Sequence, residues 1–168
     1  MPKIIENLPE KLMAEARRQI EESGYGAMTV RSVAKGCGVG VGTVYNYYPS
    51  KDALVASFML SDWNVCMEAA RSCAEDALHP DTVLLAVYEG LRRFLQLHER
   101  IFRDEAAAAS FSGTGGAYHA MLRSQLAQPL RRFCRDDFTA EFIAEALLAW
   151  TVGGKIFDEL CPVLLRLF

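Results

Sequence analysis

The sequence has no surplus of positive charge, no cysteine pair at metal-ligating spacing and no apolar run long enough to span a bilayer. Each absence removes a class of protein. Its five cysteines, at 37, 66, 73, 134 and 161, are odd in number and lack C-x-x-C spacing. A disulfide framework or zinc site is therefore not expected, and a reducing compartment suits them. Cys66 and Cys73 stand two helical turns apart and read as small core residues. The longest uncharged apolar run, Ala146 to Gly154, is too short for a membrane span. Lys3, Glu6, Glu10 and Lys11 interrupt any leader-like stretch, so a cytoplasmic protein without membrane association is expected. There is no G-x-S-x-G, and His79, His98 and His119 fall in separate segments without ligand-like spacing. The glycines from Gly113 to Gly116 lack the Lys-Ser/Thr of a phosphate loop. No catalytic group, metal or cofactor is expected, and no strand-like alternation appears.

What remains is a chain of 168 residues, 51% hydrophobic and 23% charged, enough for one or two small domains with a real core. The net charge of −3 is unevenly spread. Residues 1–52 hold seven Lys/Arg against six Asp/Glu, and the remainder holds eleven against fifteen. Any nucleic-acid affinity must come from a few placed groups rather than a broad basic field.

Helical periodicity runs throughout. A first helix is predicted from Asn7 or Leu8 to Ser23, with Leu8, Leu12, Ala16 and Ile20 as its stripe and capping-box spacing between Asn7 and Glu10. Further helices are predicted over Lys51 to about Ala77 (Leu54, Phe58, Val65 and Ala69 near one face), Asp81 or Thr82 to His98, Phe102 to Phe111 and Tyr118 to Cys134. A separate final apolar helix is capped by Thr139 and runs to about Leu160, with Pro162 kinking it or starting a short final turn. A flexible link is expected from Ser112 to Gly116.

The densest signal lies between Thr29 and Lys51. Thr29 is a good N-cap, because its hydroxyl can accept from an orphan backbone N–H. Val30, Val33 and Ala34 give an apolar face, and Gly36 and Gly38 bracket Cys37 where a positive φ would turn the chain. Val39 returns to the core, and Val44 and Tyr48 form the inner stripe of a second short helix. Pro49 ends that helix and Ser50 caps the next. Val41, Gly42, Thr43, Asn46 and Tyr47 are left facing outward, with no carboxylate among them. Two short helices joined by a tight turn form a helix-turn-helix, which places its second helix in the major groove of DNA. Asn46 can pair bidentately with adenine, worth about 1–3 kcal/mol of discrimination.

The segment T-V-R-S-V-A-K-G-C-G-V-G-V-G-T-V-Y-N-Y-Y-P-S-K closely resembles the TetR-family pattern T-V-x-x-I-A-x-x-A-G-V-S-x-G-T-L-Y-x-Y-F-x-S-K. The resemblance covers about Leu8 to Leu54. Gly40 and Val41 depart from it, standing where a Ser or Thr and then a polar or basic residue are frequent. The resemblance implies an all-α fold, with a three-helix DNA-binding domain over 1–50 and a helical-bundle ligand-binding and dimerisation domain over 51–168. It places Thr29, Tyr45, Tyr47 and Lys51 on phosphates, with Arg31 and Lys35 as looser phosphate candidates. Thr43 and Asn46 are the base-edge candidates, with Val41 and Gly42 near a thymine methyl or the backbone.

Trp63, Met67, Tyr88 and Phe111 are the candidates for lining an effector cavity among many ordinary core aromatics. Leu147, Trp150, Thr151, Gly153 and Gly154 are the candidates for a homodimer interface, the glycine pair permitting close helix approach. The implied function is a repressor that binds a near-palindromic double-stranded operator and is released by a small hydrophobic or amphipathic effector. Two alternatives stay open: a helix-turn-helix used for protein interaction, and a small helical enzyme.

Overall fold

Pro9, not Asn7, prepares the start of the first helix. The structure, a computed structural model, describes residues 6–111 and 115–168. Ser112, Gly113 and Thr114, most of the expected link and half of its glycine-rich string, lie outside the described residues. Among the described residues every regular element is helical. α1 (Leu8–Ser23) buries the predicted stripe of Leu8, Leu12, Ala16 and Ile20. The expected capping box does not form. Asn7 is left-handed at φ 55° and makes no side-chain cap, and the proline in the first turn fixes a helical φ instead.

The chain divides into two compact units, Met1–Ser61 with His98–Ser112 and Asp62–Leu97 with Gly113–Phe168. The first contains α1, α2 (Val30–Gly36), α3 (Val41–Tyr47), the first turns of α4 (Lys51–Asp76), α6 (Glu99–Phe102) and α7 (Glu105–Phe111). Its core joins the α1 stripe to Tyr25, Met28, Val33, Val44, Tyr48, Leu54, Phe58, Ile101 and Ala107. The start of α4 and the α6–α7 segment thus pack with the N-terminal helices. The single helix predicted over Phe102–Phe111 is interrupted, because the Asp104 carboxylate accepts from the N–H groups of Ala106 (2.9 Å) and Ala107 (3.2 Å) and starts α7 afresh.

The second unit holds the rest of α4, α5 (Pro80–Leu97), α8 (Gly115–Ala127), a 3-10 turn (Gln128–Phe133), α9 (Asp137–Val152), α10 (Phe157–Leu164) and a short 3-10 turn (Leu165–Leu167). In this unit α4 buries Trp63, Cys66, Met67, Ala70 and Ala74, while Val65 and Ala69 are exposed, contrary to expectation. The reason is Gly90 of α5. A Cβ there would lie 2.5 Å from the Cys66 carbonyl oxygen, so α5 crosses directly over that part of α4. The Tyr118–Cys134 helix ends earlier than predicted, at Ala127, and passes into the 3-10 turn.

The expected final helix is two helices. Asp136 caps α9 by accepting from the Thr139 N–H at 2.7 Å, so Thr139 sits inside the first turn rather than at the cap. Gly154, at φ +83°, then ends α9. The Lys155 N–H reaches the Trp150 carbonyl (2.9 Å) and the Gly154 N–H the Thr151 carbonyl (3.0 Å), the paired bonds of a Schellman stop.

Candidate nucleic-acid interface

Thr29 does what its hydroxyl predicts. It is extended at φ −133° and accepts from the Ser32 N–H at 3.0 Å, while Ser32 Oγ accepts from the Thr29 N–H at 3.0 Å. This reciprocal cap satisfies two orphan donors of α2. Ser32 was missed in the sequence, although its place three residues after Thr29 was the available signal. Gly38 then adopts φ +68°, and the Val39 N–H bonds the Ala34 carbonyl at 3.0 Å. That bond, with the one from the Gly38 N–H to the Lys35 carbonyl at 3.2 Å, fixes the turn between α2 and α3. Gly36 does not turn the chain; it is the last residue of α2 and lies against Glu15 of α1.

α3 begins at Gly40 without a side-chain cap. Val44 is fully buried, and Tyr48 is buried with its hydroxyl donating to the Pro9 carbonyl at 3.3 Å. With those two positions turned inward, Gly42, Tyr45, Asn46 and Tyr47 are exposed, the two tyrosines by about half. Val41 and Thr43 are half-buried, and Val41 packs partly on the core. α2 also presents Thr29, Arg31 and Lys35 to solvent. The surface of α3 is therefore polar, aromatic and free of carboxylates, a face able to approach phosphates without charge repulsion.

Lys51 is held against the turn after α1. Ser50 caps α4 by accepting from the Ala53 N–H at 3.0 Å, which leaves Lys51 in the first turn. Its ammonium donates to the Tyr25 carbonyl at 2.5 Å and lies 3.9 Å from the centroid of the Tyr25 ring. Burial lowers its pKa, opposed by the charges of Asp52 and Asp104. The Tyr25 hydroxyl in turn donates to Asp52. Burial, then that carboxylate, pushes the Tyr25 phenol up to about 12. Asp104 closes the same cluster by accepting from the Gly26 N–H at 3.3 Å. Burial pushes its carboxyl up, but the N–H groups of Ala107, Gly26, Ala106 and Tyr25 outweigh that and hold it below the usual carboxylate range. No local sequence signal marks this cluster, since its members come from three separate stretches of chain.

Residues 12–58 match the sequence profile described as bacterial regulatory proteins, tetR family. The match covers the helix-turn-helix and parts of the helices that flank it, 47 of the 168 residues. Solved structures share the fold of the chain. Thermus thermophilus FadR, described as a TetR-family transcriptional repressor in complex with lauroyl-CoA, is 22% identical with a TM-score of 0.60, over 95% of this chain and 92% of that one. Salmonella enterica GusR is 19% identical with a TM-score of 0.56, over 98% and 95%. A chain described as superantigen pfit is 24% identical with a TM-score of 0.53, over 95% and 88%, so the fold by itself carries no function. No protein of curated function matches the chain in sequence.

In the second unit, three of the four effector-cavity candidates are buried side chains with partners of their own. Trp63 packs edge-on against Phe94, with ring centroids 5.1 Å apart, and its indole donates to Gln125. Met67 is buried beside Gly90. The Tyr88 hydroxyl donates to the Lys155 carbonyl at 3.3 Å, and its ring tilts against Phe157. The Phe111 side chain lies outside the described residues. Of the dimer candidates, Leu147 and Thr151 are buried within their own chain, which removes them as surface contacts. Trp150 is 54% exposed, and Gly153 and Gly154 are exposed where α9 stops rather than along a continuing helix. Sequence reading missed Phe138 and Phe142, which are 78% and 53% exposed on the same helix. Their four-residue spacing was the usable signal. Among the described residues, no group of three potential metal ligands occurs, and no helix is long and apolar enough to cross a membrane.

Proposed function

We propose that this chain is a sequence-specific DNA-binding repressor, acting as a homodimer on a near-palindromic operator. The observation that carries the reading is the exposed, carboxylate-free face of α3, set by the Gly38 turn and anchored by Val44 and Tyr48. Asn46 and Thr43 read base edges in the major groove, and Tyr45, Tyr47, Thr29, Arg31 and Lys35 hold the backbone. Residues 1–50 supply this function, and residues 51–168 supply effector binding and dimerisation. A two-fold dimer places its recognition helices about 34 Å apart, one turn of DNA. The exposed Phe138, Phe142 and Trp150 of α9 form the apolar surface that suits a second copy.

The effector is a small hydrophobic or amphipathic molecule. Acyl-CoA thioesters are the first class to test, because the fold relative from Thermus thermophilus is described with lauroyl-CoA. Binding shifts the protein toward a state whose α3 helices no longer match groove spacing, with a coupling of about 1–3 kcal/mol typical of such devices.

Fluorescence anisotropy with duplexes from the chain's own upstream DNA tests the core of this reading. The expected result is sequence-selective binding that weakens with salt and, for the correct effector, with ligand. Binding that is absent, or indifferent to sequence, overturns it.

A further inference from the structure

α2 and α3 together contain two cations, Arg31 and Lys35. Both are exposed. The third candidate for ionic contact with DNA, Lys51, is situated differently. Its ammonium is held by the Tyr25 carbonyl at 2.5 Å and by the face of the Tyr25 ring at 3.9 Å. Asp52 and Asp104 stand close enough to interact with that charge, and each is itself engaged around Tyr25, Asp52 through the phenol and Asp104 through backbone N–H groups. That ammonium has one N–H on a carbonyl and its charge set against an aromatic face and two carboxylates. Two of the cations on α1 are engaged as well. Arg18 is paired with Glu15 and Glu22, and the Arg17 guanidinium lies 5.0 Å from the centroid of the Phe58 ring.

Lys51 also occupies a position with leverage. It follows α3 by three residues, through Tyr48, Pro49 and the Ser50 cap. The carbonyl it holds belongs to the turn after α1. The bond therefore fastens the end of the recognition segment to the end of the first helix.

We infer that Lys51 is a positioning residue that clips α3 to the α1 turn through Tyr25, and that Arg31 and Lys35 carry the ionic contact with DNA phosphates. This rests on the DNA-binding reading above and sharpens it by dividing the cations of the interface into anchors and a clip.

The salt dependence of binding separates the two roles. Each phosphate neutralised contributes about −0.9 to the slope of log affinity against log salt. The probe is the tightest duplex enriched from a random pool, titrated by anisotropy across a salt series. Arg31→Gln and Lys35→Gln are expected to flatten the slope by about 0.9 per protomer each, with unchanged thermal unfolding. Lys51→Met is expected to weaken binding several-fold at every salt concentration with the slope unchanged, and to unfold at lower temperature. Lys51→Gln, which keeps a donor for the Tyr25 carbonyl but no charge, is expected to keep the wild-type slope and recover part of the thermal loss. A slope flattened by Lys51→Gln or Lys51→Met as much as by Lys35→Gln overturns the inference. So does a Lys51→Met chain as heat-stable as wild type. If no duplex is enriched, the DNA-binding reading fails, and the unfolding comparison of Lys51→Met with Lys35→Gln still decides whether Lys51 is a clip.

Discussion

A Cβ added to Gly36 would sit 2.6 Å from the carboxyl carbon of Glu15 and 2.9 Å from its Cγ. α1 and α2 therefore cross with a glycine of one against a side chain of the other. Glu15 cannot move away freely. It accepts from Arg18 Nε at 2.9 Å and from Gln19 Nε2 at 2.7 Å, and Gln19 meets Ser32 at the start of α2.

Gly36→Ala should destabilise the protein by about 1–3 kcal/mol, the usual range for forcing an extra methyl into a packed contact. Urea unfolding measures this. Because the clash is with Glu15, the Glu15→Ala, Gly36→Ala double variant should lose less than the two single variants added together. Strict additivity would place the cost elsewhere.

Glu15 should titrate well below an ordinary glutamate, at about 2, held there by hydrogen bonds from Arg18 and then Gln19. A folded-state pKa lowered in this way stabilises the fold above the unfolded value of about 4.5, and the contribution is lost as pH falls toward about 2. Arg18 is half-exposed, so salt weakens the effect. An NMR titration of the Glu15 carboxyl checks the value, and Arg18→Met should return its midpoint toward the usual range.

Gly90→Ala should be costly in the second unit, by about 1–3 kcal/mol, since the new methyl meets the Cys66 backbone carbonyl at 2.5 Å rather than a movable side-chain tip. Gly154→Ala provides the comparison. Nothing lies within 4 Å of its Cβ, and its cost, about 1 kcal/mol, comes from the positive φ alone. Thermal unfolding of the two variants should rank them in that order.

Asn46→Ala should leave stability within about 0.5 kcal/mol, as expected of an exposed site without a cap or packing role. If Asn46 reads a base, the variant should lose discrimination at one operator position by about 1–3 kcal/mol. Competition binding against singly substituted duplexes measures this. A variant with full sequence preference would remove Asn46 from base readout and favour a helix-turn-helix used for protein contact.

If two copies pair through α9, Phe142→Arg combined with Trp150→Glu should leave a folded monomer, because both side chains are more than half exposed in the single chain. Sedimentation velocity and circular dichroism together test this. An unchanged dimer would place the interface away from α9.

The helix-turn-helix was legible because the forces that shape it act over short sequence distances. The Thr29 cap, the Gly38 turn, the Ser50 cap and the inward pair Val44 and Tyr48 each involve residues within five positions of one another. The chemistry of the exposed α3 face follows directly from that periodicity. At the far end of the chain the same local rules were present but misweighted. In sequence the glycine pair at 153 and 154 reads as a packing feature of one long helix, whereas the positive φ of Gly154 makes it a stop.

The roles of Lys51, Gly36 and Gly90 were not legible in this way. Lys51 finds its carbonyl 26 positions upstream, and Gly36 and Gly90 are defined by what crosses them. Residue type and spacing thus set the helices, their caps and the exposed face of α3, because those depend on backbone bonds closed within a turn. Which cations are held inward, and which face of α4 is buried, follow from how helices distant in sequence pack, since burial and charge neutralisation exist only once those helices meet.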